Sequence, residues 1–180
     1  MSSWEFKKNL GNIGKWNKIF LSITCFWALL ILTSPLMLDE GETGDLSGSV
    51  GIYDNKEIIQ EMNPINKMVY YLGDLNCHQL SQRSYDYNGN QMPFCARDVG
   101  IFAGLALGFI FALGRKVELT LPLVILSLVP IGLDGTIQLF TEYESTNIKR
   151  IITALIAAFE TGISLKIIAD SIERDSSSPL

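Results

Sequence analysis

The chain has 180 residues, the size of one ordinary domain. Hydrophobic residues make up 48% and charged residues 18%, where a soluble domain carries about 25% charged residues. With a positive mean hydropathy, this excludes a disordered chain and a disulfide miniprotein. The net charge of −5 leaves no basic face for a phosphate backbone, so nucleic acid is not an expected partner.

Four apolar runs dominate, and they predict an all-α, polytopic membrane protein built as a four-helix bundle. A bilayer core about 30 Å thick takes roughly 20 helical residues. The runs at 19–38, 98–114, 119–140 and 151–169 fit that length. Backbone groups in hydrocarbon must be bonded internally, and the runs lack the alternation of barrel strands, so helices are expected. The first run exceeds a signal-peptide core of about 7–15 residues and no A-x-A site follows, which favours an uncleaved anchor. The whole chain reads as a single membrane domain.

Basic residues set the expected orientation. Lys7, Lys8, Lys15 and Lys18 precede the first span, Arg115 and Lys116 sit between the second and third, and Arg174 follows the fourth. The positive-inside rule then places both termini at the cytoplasmic side of the cell membrane and 39–96 outside it. Lys149 and Arg150, in the other connection, run against that rule.

The outer segment opens acidic and glycine-rich, with Gly41, Gly44, Gly48 and Gly51, and reads as a solvated loop over 39–63. Pro64 is a good first helical residue. Ile65, Met68, Val69, Leu72 and Leu75 recur at helical spacing. A short amphipathic helix over 64–76 is therefore predicted on the outer leaflet or against the bundle, with Tyr70 and Tyr71 suited to the interface. In the second span, Gly100, Gly104 and Gly108 mark a helix-packing seam. In the third, Pro130 should loosen the helix just before Asp134.

The polar residues carry the functional signal. Cys77, His78 and Cys95 are candidate ligands for zinc, with Asp98 as a fourth. The spacing matches no standard zinc finger, and a Cys77–Cys95 disulfide is the competing reading. Cys25 reads as inert filler within the first span. Acids inside spans are costly and demand an explanation. Asp134 is the candidate catalytic group, with Arg97 or Arg150 as its partner in a purely structural role. Gln138 follows one turn later on the same face. Glu160 and Lys166 lie in the fourth span, the lysine near enough to its end to snorkel. Arg97, Asp98, Asp134, Gln138, Arg150 and Thr153 all fall at one depth under the outer segment, which predicts one polar site there. Arg83, Arg97, Gln138 and Arg150 are the candidate substrate-binding residues, since guanidinium matches anionic head groups.

At these residues the chain resembles a family of small multi-pass membrane proteins of unassigned function, found in archaea and bacteria. The resemblance rests on Cys77-His78-Gln79 with Arg83-Ser84, and on Gln91-Met92-Pro93-Phe94-Cys95-Ala96-Arg97 leading into Gly100-Ile101 and Gly104. It continues through Asp134-Gly135 with Gln138, and Ser145-Thr146-Asn147 with Arg150 and Thr153. It covers roughly residues 70–160. Members often carry Cys where this chain has Asp98, and Gly where it has Ala154. The resemblance implies a shared site and raises metal over disulfide, because a disulfide needs neither His78, Gln79 nor Arg83 nearby.

Two readings follow. The first is an outer-side zinc site acting on a membrane lipid or a lipid-linked anionic substrate. The second is a transporter or accessory subunit of other membrane proteins, with a Cys77–Cys95 disulfide and ionisable Asp134 and Glu160.

Overall fold

The computed structural model describes residues 13–177. Lys7 and Lys8, invoked for orientation, lie outside the described residues. The chain is mostly helical. Four long helices form the bundle: α1 (Lys15–Thr33), α4 (Ala96–Ala112), α5 (Leu121–Phe140) and α6 (Asn147–Ser177). Between α1 and α4 lie two short helices, α2 (Lys56–Glu61) and α3 (Pro64–Asn76). A two-stranded hairpin follows, β1 (Asp86–Tyr87) against β2 (Asn90–Gln91). Among the described residues, three stretches are long and apolar enough to cross a membrane: Lys15–Met37, Leu121–Phe140 and Asn147–Ser176. The second predicted span, α4, is a helix of 17 residues.

The seam of the bundle is α4 against α6. A Cβ added to Gly100 would lie 2.6 Å from the Ile151 carbonyl, and one on Gly104 would lie 2.7 Å from the Leu155 carbonyl. Gly108 abuts Phe159 in the same way, and Gly162 returns the fit against Leu105. Residue numbers rise together on both helices, so α4 and α6 run parallel. Small residues are what permit this approach, since lipid gives helices no hydrophobic reason to associate. Arg97 meets Asp134, and Asn17 meets Asp170. Those contacts set α5 and α1 antiparallel to the pair.

The outer faces are apolar. Leu121, Leu126, Leu133, Leu139 and Phe140 of α5 are exposed, as are Ile23, Phe26 and Leu29 of α1. Hydroxyls within these helices fold back on their own carbonyls, Thr24 on Phe20 and Thr33 on Leu29, which satisfies them without water.

Residues 39–91 form a packed cap rather than the solvated loop expected over 39–63. Leu46, Ile59 and Met62 are buried together with Tyr70 and Leu38. Their spacing follows no helix or strand period, which is why the pattern hid them. Helix α3 starts and stops where its sequence predicts. Asn63 caps it by accepting from the Asn66 N–H, and Pro64 opens its first turn. Its apolar residues divide, however. Val69 and Tyr70 are buried, while Ile65, Met68 and Leu72 face outward. Tyr70 therefore lies in the cap's core rather than at an interface, its hydroxyl donating to the Gln91 carbonyl at 2.8 Å.

Buried amides hold the cap together. Gln91 Oε1 accepts from the Leu46 N–H, and its Nε2 donates to the Gln79 carbonyl. Gln79 Nε2 donates to the Pro93 carbonyl at 2.9 Å, and its Oε1 accepts from Asn55, which also donates to Asp74 at 2.7 Å. Asn90 accepts from the Thr43 N–H and donates to the Asp39 carbonyl. Asn88 and Gly89 turn the hairpin at φ of 58° and 71°, the conformation that Asn-Gly favours.

Candidate functional site

The site sits where the cap meets the first turns of α4 and α6. Cys77 ends α3 in extended backbone, and Cys95 stands immediately before α4. Gly73 makes this close approach possible, because a Cβ there would run into the Pro93 carbonyl. The Cys95 N–H donates to Cys77 Sγ at 3.3 Å, and the Cys95 thiol donates to Asp98 Oδ2 at 3.2 Å. The two sulfurs and one Asp98 oxygen lie within 4.8 Å of one another. Both cysteines are thiols in this structure.

His78 stands apart from that trio. Extended backbone at Cys77 turns successive side chains to opposite sides, so Cys77 and Gln79 are buried while His78 is exposed. It nonetheless lines the cavity of about 200 Å³ that opens over the cluster, together with Cys77, Cys95 and Asp98.

Three arginines complete the walls: Arg83, Arg97 and Arg150. Each is held from behind. Arg97 pairs with Asp134 at 2.6 Å. Arg83 meets Glu144 at 3.3 Å, and Arg150 meets the same carboxylate at 3.5 Å and Asn147 Oδ1 at 3.1 Å. Arg150 is 2% exposed, and the carboxylate beside it is on the surface. Glu144 carries no signal in the sequence. It sits in the short α5–α6 connection, and only the fold brings it to two arginines 61 and 6 residues away.

Of the remaining predicted residues, neither Asp134, which pairs with Arg97, nor Gln138 lines this cavity. Asp134 is buried against Arg97. The Nε2 of Gln138 is buried with no partner among the described residues. Thr153 bonds to the Lys149 carbonyl of its own helix. Cys77, His78, Cys95, Asp98, Arg83, Arg97 and Arg150 do converge on one cavity.

The electrostatics follow from the packing. The Cys77 thiol donates to Cys95, which lowers the Cys95 pKa below its ordinary value, against the opposing effects of burial and of Asp98. Cys77 moves up for the same reason, and burial and the charges on Cys95 and Asp98 raise it further. Two thiolates and a carboxylate this close repel strongly, so all three ionise together only around a cation. Tetrahedral zinc with Zn–S near 2.3 Å sets its sulfur ligands about 3.8 Å apart, within the spread of this trio.

The family described as "Predicted membrane protein (DUF2085)" matches residues 77–164, from Cys77 through most of α6. An uncharacterized protein of Methanothermobacter thermautotrophicus is 32% identical over 95 residues, which are 51% of this chain and 86% of that relative. The chain belongs to this family. Another relative, an uncharacterized protein of Methanocaldococcus jannaschii, is 38% identical over 100 residues, 53% of this chain. The match spans 64% of that relative's length. No solved structure matches the chain. The family's matched region holds the cysteine cluster, the α4–α6 seam and the cavity lining apart from Val50 and Asn76, while α1 and the cap before Cys77 lie ahead of it.

Proposed function

We propose that this membrane protein holds a zinc ion at Cys77, Cys95 and Asp98, with His78 as the fourth ligand once the 77–80 stretch closes over it. The carrying observation is the trio of ligand atoms within 4.8 Å of one another at the floor of a cavity. The donor set fits: two thiolates with an imidazole and a carboxylate suit a borderline metal. With all four ligands bound the zinc would be closed and structural; with His78 at the rim, as it stands here, the open fourth position would let the ion act as a Lewis acid on a substrate oxygen.

The arginines define the substrate class. Arg150 is a nearly inaccessible cation whose carboxylate partner is exposed, and Arg83 and Arg97 share its cavity. An anionic group, such as the head of a lipid or lipid-linked substrate, would satisfy them as well as the metal. Asp134 then acts as a positioning residue, holding the Arg97 guanidinium toward the cavity. We place the cluster at the outer side, with both termini cytoplasmic and α4 completing four spans.

Metal analysis of the purified protein tests the proposal, with thiol counts made before and after denaturation. About one zinc per chain is expected, lost in Cys77→Ser and Cys95→Ser. Metal-free protein with Cys77 and Cys95 joined as a disulfide would overturn it and favour the transporter or accessory-subunit reading.

A further inference from the structure

A second polar centre lies at the other end of the bundle. Asn17 of α1 donates its Nδ2 to Asp170 Oδ1 at 2.8 Å, and Lys166 donates to the other Asp170 oxygen. The Trp16 N–H donates to Glu173 at 2.8 Å, so that carboxylate caps the start of α1. Asn17 is 6% exposed, yet its Oδ1 has no partner among the described residues. The Asp170 contact fixes the amide's orientation, so the orphan atom is an acceptor. It borders a cavity of about 320 Å³ that Lys166 and Asp170 also line.

Two further cavities continue from it. One of about 440 Å³ shares Lys166 and Asp170 and adds Lys116. The next, about 590 Å³, is bordered by Val117, Leu119, Ile167 and Ile168, and shares Val117 and Ile167 with the second. The series passes from a charged end to a mostly apolar groove between the α4–α5 connection and α6, with Glu118 and Ser164 as its polar members. Among the described residues, Arg115, Lys116, Lys166 and Arg174 stand around the two polar cavities with Glu118, Asp170 and Glu173. The ammonium groups of Lys116 and Lys166 complement a phosphodiester.

We propose that this end of the bundle binds a phospholipid, its anionic head group between Lys166, Lys116 and Asn17 and its tail along the Val117–Ile167 groove. Lys166 has three donors and gives one to Asp170, so two remain for phosphate oxygens. Phosphate offers nothing to Asn17 Oδ1, which needs a donor. A head group that carries hydroxyls beside its phosphate satisfies both atoms. Phosphatidylglycerol has that chemistry, phosphatidic acid lacks the hydroxyl arm, and phosphatidylcholine lacks both the donor and the net charge. Basic pockets between helices are common lipid head-group sites.

Native mass spectrometry of delipidated protein, titrated with short-chain phosphatidylglycerol, phosphatidic acid, phosphatidylethanolamine or phosphatidylcholine, tests the proposal. One phosphatidylglycerol per chain is expected, at least tenfold tighter than phosphatidylcholine and tighter than the other two. Lys166→Gln should weaken it at least fivefold. Lys116→Gln, at an exposed position that folding does not need, should weaken it about threefold. Asn17→Leu should abolish the preference over phosphatidic acid. Zinc content should stay at the wild-type level in Lys116→Gln, which separates this site from the cysteine cluster. Equal retention of phosphatidylcholine, tighter binding of phosphatidylethanolamine, or unchanged phosphatidylglycerol binding in Lys116→Gln together with Lys166→Gln would overturn the proposal.

Discussion

Arg97 and Asp134 meet at 2.6 Å across 37 residues of chain, joining the first turn of α4 to α5. Of the α5 side chains, only Ser127 and Asp134 are buried. Most of that helix faces outward, so the ion pair supplies much of what fixes its position. Pro130 removes one backbone bond a turn earlier and leaves the α5 backbone free to adjust to the pair.

Asp134→Asn therefore should cost stability before it costs metal. The variant leaves the Arg97 charge without its carboxylate, and breaking a largely buried pair costs on the order of 3 kcal/mol. A lower melting temperature in detergent is expected, with zinc per folded molecule unchanged and affinity for an anionic ligand reduced. Loss of zinc at native stability would instead place Asp134 on the metal.

Glycines in the two helices should answer differently to the same change. Gly108→Ala drives a methyl group into the Phe159 carbonyl at the α4–α6 seam. A cost of about 1–3 kcal/mol is expected from forced separation of the helices. Gly132 in α5 has open space where its Cβ would go. Gly132→Ala should be neutral or stabilise by about 0.5–1 kcal/mol, through helix propensity alone. Thermal melts of both variants in one detergent check the contrast.

These two cases also mark what the sequence made legible. A run of glycines four apart can be read as a seam because helical geometry is local. The α3 boundaries were legible for the same reason, through Asn63 and Pro64. Partners depend on tertiary placement and were less so. Arg97 and Arg150 both sat at the right depth for Asp134, but only Arg97 reaches it, and Arg150 turns to Glu144 instead. The Lys166 sequence position says only that it can snorkel; its partner, Asp170 one turn on, is seen in the structure. Asn17 had no local signal, since its neighbours Lys15 and Lys18 read as a membrane flank. The opposite polar end was hidden with it.

The buried amides of the cap give a third prediction. Gln91 is bonded on both sides, to Leu46 and to Gln79, at a depth where water does not replace a lost partner. Gln91→Leu keeps most of the volume but strands the Leu46 N–H and the Gln79 carbonyl. Unsatisfied buried groups cost about 1–3 kcal/mol each. The 39–50 stretch should then open, and limited proteolysis should cut there in the variant well before the wild type. An unchanged digestion pattern would mean that the cap does not depend on this residue.

The last prediction concerns the order in which the two thiols ionise in chelator-treated protein. Cys95 is lowered chiefly because the Cys77 S–H donates to its sulfur, and Cys77 is raised by the same bond and by burial. Since the thiolate is the nucleophile, alkylation tracks ionisation. As pH rises, Cys95 should therefore react with iodoacetamide first, with a midpoint below that of an ordinary thiol. Cys77 should lag well above that value, and modification of Cys95 should precede it at every pH. Cys77→Ala removes the largest lowering influence, and burial and the Asp98 charge, which raise Cys95, then outweigh the Asp98 backbone hydrogen bond that lowers it. The Cys95 midpoint should then move upward. Asp98→Asn removes the opposing charge and should move it downward. Added zinc should protect both thiols in the wild type and leave Cys95 unprotected in Cys77→Ala. Mass-spectrometric mapping of the alkylated peptides reads all three effects. A Cys95 midpoint that ignores both substitutions would show that the sulfurs do not share a proton, and the close trio that supports the metal site would lose its basis.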